Sequence, residues 1–145
     1  MRFVDTNILL YAISTDPAET EKTAVATKLL ESTDLAISVQ VLQEFYVQST
    51  RATRSGHISH EQAVALIESW LRFPVQELTI EIVRAALLAR EQFQLSYWDA
   101  TIVEAARALG CKVVLSEDMN AGQNYAGVRV VNPFLSRRRR SSDTL

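Results

Sequence analysis

Residues 2–12 read RFVDTNILLYA, and the fold turns on how this stretch is parsed. Arg2-Phe3-Val4 is short and largely apolar, Asp5-Thr6-Asn7 interrupts it, and Ile8 to Ala12 resumes at once. Asp and Thr both cap helices well. The stretch therefore predicts a strand over 2–4 that passes directly into a helix beginning after Asp5 or Thr6. The polar interruption is then either a cap or part of a ligand site, and the rest of the chain must decide between them.

The alternation continues downstream. Pro17-Ala18-Glu19 opens a helix running to about Glu31, because proline is tolerated in a first turn and acids favour an N-terminus. LAISV at 35–39 reads as a buried strand, and 40–54 as a helix. Gly56 breaks the chain. Ser59-His60-Glu61-Gln62 is a capping box that starts a helix through Leu71. Pro74 ends it, and Val75 to Leu78 predicts a third strand. Residues 79–92 carry Ile82, Ala85, Ala86 and Ala89 at helical spacing. Ser96 opens another helix to Leu109, with Gly110 well suited to follow its end. KVVL at 112–115 and VRVV at 128–131 predict the last strands.

Short apolar strands alternating with helices imply an α/β fold: one three-layer domain with a parallel β-sheet flanked by helices on both faces. Residues 1–135 are assigned to that domain. Residues 136–145 form a basic and polar tail, expected to be flexible, with four consecutive arginines from Arg137 to Arg140. That run reads either as a solvated tail or as a contact to RNA phosphate or a partner.

The bulk composition excludes several classes. At 145 residues the chain fits one domain with a sizeable core. With 48% hydrophobic and 22% charged residues it is ordinary for a soluble protein. No apolar run approaches the ~18 residues of a membrane span, and Asp5, with Asp16 and Pro17 soon after, argues against a signal peptide. The lone Cys111 allows no internal disulfide and points to a reducing, cytoplasmic compartment. A net charge of −2 does not advertise nucleic-acid binding.

Parallel α/β sheets bind ligands beyond the carboxyl ends of their strands, near the point where strand order reverses. Asp5 directly follows the first predicted strand. Glu117 and Asp118 follow the strand 112–115 with Ser116 between. Glu44 lies little more than one turn into the helix after the second strand, and Asp99 in the first turn of its own. Each has a plain alternative. Asp5 can cap a helix, Ser96-x-x-Asp99 is a capping box, and Asp118 can begin a polar loop. Glu44, at the margin of a stripe formed by Val41, Leu42 and Phe45, needs a partner that is either a cation side chain or a metal. These alternatives explain poorly why all four fall on one edge. Clustered carboxylates repel, and a divalent cation removes that penalty. An all-oxygen ligand set favours Mg²⁺ or Mn²⁺ over zinc. His57 and His60 flank the capping Ser59 and read as a surface helix start. Thr6 or Asn7 can cap the first helix, leaving Asp5 for the metal.

Four pieces, VDTNILLYA at 4–12, LQEF at 42–45, LSYWDA at 95–100 and LSEDM at 115–119, occur in an order and spacing that resemble the PIN-domain ribonucleases, most closely VapC-type toxins. The resemblance covers nearly the whole chain apart from the tail. It implies a PIN-like fold and an Mg²⁺- or Mn²⁺-dependent endoribonuclease, the toxin of a toxin–antitoxin pair. Its acids fall on Asp5, Glu44, Asp99 and Asp118, with Glu117 an alternative fourth, and Asn7 and Ser116 match the small polar positions that orient them. It also implies a homodimer and a cognate antitoxin.

Phosphodiester hydrolysis needs an activated water and neutralised phosphoryl oxygens, which two ions ~4 Å apart supply. Asp5 and Asp99 are expected to be the principal ligands, with Glu44 and Asp118 binding a second ion or orienting water. Arg51, Arg54 and the arginine tail are candidates for RNA contact. Tyr97, Trp98, Phe45 and Tyr46 read as core aromatics, with base stacking the alternative. A haloacid-dehalogenase-like phosphohydrolase would need a second Asp where Asn7 stands. A response-regulator receiver would need an acidic pair at Asp5 and a lysine after a late strand, whereas Lys112 begins its strand. A non-catalytic RNA-binding PIN-like module would have lost acids that are all present here.

Overall fold

The computed structural model describes residues 1–135, so the Arg137–Arg140 run and the predicted tail lie outside the described residues. Strand β1 (Arg2–Val4) passes through Asp5 into helix α1 (Thr6–Ala12), as the opening stretch predicts. A 3₁₀ turn at Pro17–Glu19 leads into α2 (Thr20–Leu29), then β2 (Leu35–Ser38), α3 (Val39–Ser49) and α4 (His60–Trp70). Edge strand β3 (Val75–Gln76) is followed by α5 (Ile80–Phe93), α6 (Tyr97–Ala108), β4 (Val113–Leu115), β5 (Asn124–Tyr125) and β6 (Val128–Val131).

The sheet order is β3-β2-β1-β4-β6-β5. All neighbours are parallel except the β5–β6 pair. Parallel crossovers are right-handed. The run β1-β2-β3 therefore carries α1 to α4 on one face, and the return from β3 to β4 carries α5 and α6 on the other. Contacts agree, since α1 meets α2 and α3, α3 meets α4, and α5 meets α6. Sheet order reverses between β1 and β4. Both strands are covered on each face, so Phe3, Val4, Val114 and Leu115 are all buried, the run of apolar residues expected of a central parallel strand. Helix α6 crosses the sheet on small residues: Ala100, Ala105 and Ala106 are buried beside Ile102 and Val103.

Helix starts follow the sequence closely. The hydroxyls of Ser38, Ser59, Thr79 and Ser96 each accept from a backbone amide three residues on, and Ser59 with Gln62 completes the capping box. Helix ends follow it less well. The helix predicted to Arg54 stops at Ser49. The amide of Ile58 takes the Ser49 carbonyl at 2.9 Å, and the Thr50 hydroxyl folds back onto the Tyr46 carbonyl at 2.7 Å. The Ser49 carbonyl, which a continuing helix would use, is thus already occupied. β3 ends at Gln76, short of Leu78, because it pairs only with β2.

The β5–β6 hairpin carries no clear signal in the sequence. Ala126 (φ 50) and Gly127 (φ 99) form its two-residue connection, and such loops need positive φ at both positions. An Ala-Gly pair signals this more weakly than Asn-Gly, and a two-residue strand has no readable period. Tertiary contacts hold it. Arg107 donates to the Tyr125 and Ala126 carbonyls at 2.7 Å each, and Tyr125 packs edge-on against Phe93. Among the described residues no helix is long and apolar enough to cross a membrane.

Candidate active site

The reversal point between β1 and β4 is where the acidic residues gather. Asp5 follows β1 and is only 8% exposed. Its Oδ1 accepts from the Thr6 amide at 2.8 Å, so Asp5 itself is the N-cap of α1. This corrects the expectation that Thr6 or Asn7 would cap and leave Asp5 aside. One carboxylate does both jobs, because Oδ2 is turned the other way. It accepts from the Ser116 hydroxyl at 2.8 Å and the Asn7 amide at 3.3 Å. Burial pushes the Asp5 carboxyl up to about 6 from its ordinary 3.8; the Ser116 and Thr6 hydrogen bonds oppose the shift, and the charges of Glu44 and Asp118 add to it.

Glu44 is half-buried on α3, held there because Val41 and Phe45 on the same helix are fully buried. Its partners are neutral donors. The Thr6 hydroxyl donates at 2.6 Å and the Gln40 amide at 2.8 Å. Neither donor was singled out in the sequence. Thr6 reads there as a cap, and Gln40, one turn before Glu44, offers the only signal. Among the described residues Glu44 makes no ion pair. Asp99 is half-buried in the first turn of α6, where its amide bonds to the capping Ser96 hydroxyl at 3.1 Å. Burial raises its carboxyl, the Ser96 hydrogen bond opposes this, and Asp118 and Glu44 reinforce it. Only half of the expected capping box forms: Ser96 caps the Asp99 amide, and among the described residues no bond returns from the Ser96 amide to the Asp99 carboxylate, which stays with the acidic cluster.

The fourth position separates cleanly. Asp118 is exposed and accepts from the Asn7 amide at 3.2 Å. Glu117 turns away, accepting from Lys22 Nζ at 2.6 Å and from the Tyr11 hydroxyl. Burial works against its charge, but these two donors outweigh it and hold Glu117 below the usual glutamate range. Asn7 is the hub. Its Nδ2 faces Asp5, Ser116 and Asp118, while its Oδ1 accepts from the Glu117 amide at 3.2 Å, which orients the group. Ser116 is fully buried and bonds Asp5, Asn7 and the Met119 amide.

Other candidates divide. Arg54 is half-buried and lines a cavity beside Asn7, whereas Arg51 is exposed. His60 bonds the Tyr46 hydroxyl and His57 the Arg54 carbonyl, away from the acids, as a surface helix start implies. Phe45 is core, and Tyr97 packs on a small cluster of Ala86, Ala89 and Ala100. Trp98 departs from the core reading. It is 65% exposed, stacked on Tyr97 at 5.1 Å, and borders a groove with Gln40 and Glu44.

The donor set tests a metal directly. Among the described residues no three His, Cys, Asp or Glu side chains stand close enough to form a ready-made cage. The four acids interact electrostatically from separate segments, with oxygen donors only. That suits Mg²⁺, which retains several waters and takes one or two carboxylates plus substrate phosphate. A buried, like-charged carboxylate such as Asp5 is also what a cation would relieve.

The PIN domain family model matches residues 2–125. No curated protein matches the sequence. Several solved structures share the fold. A toxin–antitoxin complex from Klebsiella pneumoniae has a chain 20% identical, with TM-score 0.67, over 92% of this chain and 98% of that one. VapC20 of Mycobacterium tuberculosis, described as a sarcin–ricin-loop-cleaving toxin, is 23% identical, with TM-score 0.62, over 83% and 92%. A chain of the DNA-bound VapBC complex of Salmonella typhimurium is 17% identical, with TM-score 0.64, over 91% and 97%. With the family match spanning most of its length and the acids at the sheet's reversal point, the chain belongs to the PIN domain family.

Proposed function

We propose that this protein is an Mg²⁺- or Mn²⁺-dependent endoribonuclease and the toxin of a toxin–antitoxin pair. The observation that carries the reading is Asp5: a buried carboxylate at the sheet's reversal point, raised to about 6 by burial and surrounded by the charges of Glu44 and Asp118. Asp5 and Asp99 would hold the cation, and Glu44 and Asp118 would complete the set or orient water. A bound divalent ion supplies charge neutralisation at the phosphoryl oxygens and a water acidic enough to act as nucleophile near neutral pH. Asn7 and Ser116 fix the direction of the Asp5 and Asp118 oxygens, and Thr6 and Gln40 fix those of Glu44. The likeness to the Klebsiella chain, described as part of a toxin–antitoxin complex, supports a cognate antitoxin as partner. A homodimer and a cytoplasmic setting complete the reading.

The test is direct. Purified protein is expected to cut RNA with added Mg²⁺ or Mn²⁺ and to lose activity with a chelator, regaining it on metal readdition. Cleavage that survives chelation would overturn the proposal.

The two neighbouring acids give a second test. Asp118→Asn should reduce cleavage at least about tenfold, because it removes a charge from the cluster. Glu117→Gln should change it by no more than about threefold. It weakens contacts with Lys22 and the Tyr11 hydroxyl that lie away from the other acids, and the partly exposed ion pair among them is worth under about 1 kcal/mol. The reverse order, measured as initial rates at saturating metal, would place Glu117 in the site.

A further inference from the structure

Beside the acidic edge lies a cavity that touches the catalytic reading through Asn7 but whose own acids, Asp16 and Glu19, that reading does not use. A small cavity of about 150 Å³ is lined by Asn7, Leu10, Tyr11, Glu19 and Arg54. It adjoins one of about 440 Å³ that shares Leu10, Glu19 and Arg54 and is further walled by the 13–17 and 54–56 loops. That volume falls within the ~300–1,000 Å³ of small-ligand sites. The two loops are drawn together at Gly56. Its φ is +72°, and a Cβ there would lie 2.6 Å from Thr15 Oγ1, so glycine permits the approach.

The polar walls are partly satisfied and partly not. Asp16 accepts from the Ala18 amide at 2.9 Å through Oδ1, and Glu19 from the Ser14 hydroxyl at 2.6 Å through Oε1. Each keeps its second oxygen without a hydrogen-bond partner among the described residues. Arg54 is the one cationic residue lining either cavity and makes no ion pair among the described residues.

We propose that this cavity binds the nucleotide next to the cleaved phosphodiester, with Arg54 on its phosphate and the second oxygens of Asp16 and Glu19 on an exocyclic amino group of its base. The inference rests on the nuclease reading. A guanidinium matches phosphate geometry, single-stranded RNA is read on exposed base edges, and carboxylates accept from amino groups. Cytosine, adenine and guanine carry such a group, whereas uracil turns carbonyls toward the acids. A cationic protein segment would suit the acids but not Arg54, which favours a nucleotide.

Titrating the full-length protein with CMP, AMP, GMP and UMP while following backbone amide NMR shifts tests the site without cleavage. The amides of 14–16 and 54–56 should move with the first three, and UMP should bind at least about fivefold more weakly. Arg54→Ala should weaken CMP binding about tenfold. Arg84→Ala, an exposed control that lines no cavity described, should leave it unchanged. Unmoved amides, equal weakening by both variants, or a response only to an arginine-containing peptide would each overturn the proposal; the last would assign the cavity to a protein partner. In cleavage, Asp16→Asn should relax discrimination against uridine severalfold, and unchanged discrimination would remove the base-reading role. Wild-type protein that binds CMP here yet cuts no RNA with Mg²⁺ would sink the nuclease reading and, with it, the substrate assignment. Wild-type protein that cuts RNA while Arg54→Ala and Asp16→Asn cut with unchanged KM and base preference would sink the cavity proposal alone.

Discussion

Asp5→Asn is expected to lower RNA cleavage about a thousandfold or more while making the metal-free protein more stable near pH 7. The activity loss follows from removing a principal charge of the metal-binding set, whose electrostatic contribution is several kcal/mol. The stability gain follows from the raised carboxyl. In the unfolded chain Asp5 titrates near 3.8, and in the fold near 6. Between those values the folded protein holds a proton that the unfolded chain has released, so stability falls as pH rises. Asp5's contribution is fully present below about pH 4 and lost as pH passes about 6. The difference is on the order of 3 kcal/mol. Asparagine carries no charge and still caps a helix. It should recover part of that, about 1–2 kcal/mol, because its amide fits less well opposite the Asn7 amide. Asp99, also raised by burial, keeps a residual slope of the same sign. Denaturant unfolding of both proteins in chelator from pH 4 to 8 checks this. A variant with the same slope and no gain at pH 7 would show that Asp5 is not strained by its surroundings. Added Mg²⁺ should stabilise the wild type more than the variant, since a ligand that binds only the native state adds stability by mass action.

Phe45→Ala is expected to cost about 3–5 kcal/mol, a large share of the ~5–15 kcal/mol that holds a domain of this kind together. Phe45 is fully buried and meets the Trp70 ring edge-on at 4.7 Å and 79°. Truncation leaves a cavity between α3 and α4 that the packed sheet cannot collapse to fill. The loss should reach function as well, since Phe45 anchors the turn of α3 that presents Glu44. Val47→Ala on the same helix, at a position 53% exposed, should change stability by no more than about 0.5 kcal/mol. Comparable losses for the two variants, measured by urea unfolding, would contradict the packing described here.

Much of this fold is legible in the sequence alone. Apolar runs at 2–4, 35–39, 112–115 and 128–131 and the capping hydroxyls of Ser59 and Ser96 are local signals, readable within a few residues, and the structure follows them to within a residue, whereas the caps at Ser38 and Thr79 emerge only in the structure. Once those elements alternate, parallel topology puts strand ends, and therefore Asp5, Asp118 and the starts of α3 and α6, at one edge. The misses are equally physical. Helix α3 ended early because a distant amide took its last carbonyl, and the β5–β6 hairpin depends on Arg107 and Phe93 rather than on its own turn.

The sequence by itself therefore determined the order of the elements other than β5, the caps at Ser59 and Ser96 and the candidate acids near one edge, because helix starts and strand runs are set by hydrogen bonding and periodicity over a few residues. Only the tertiary structure decided what those acids experience. The Thr6–Glu44 bond spans 38 positions and the Asn7–Asp118 bond 111. Burial of Asp5, the diversion of Glu117 to Lys22 and Tyr11, and the outward stack of Trp98 all depend on which segments pack together. Desolvation and side-chain pairing are properties of that packing, and no local pattern encodes them.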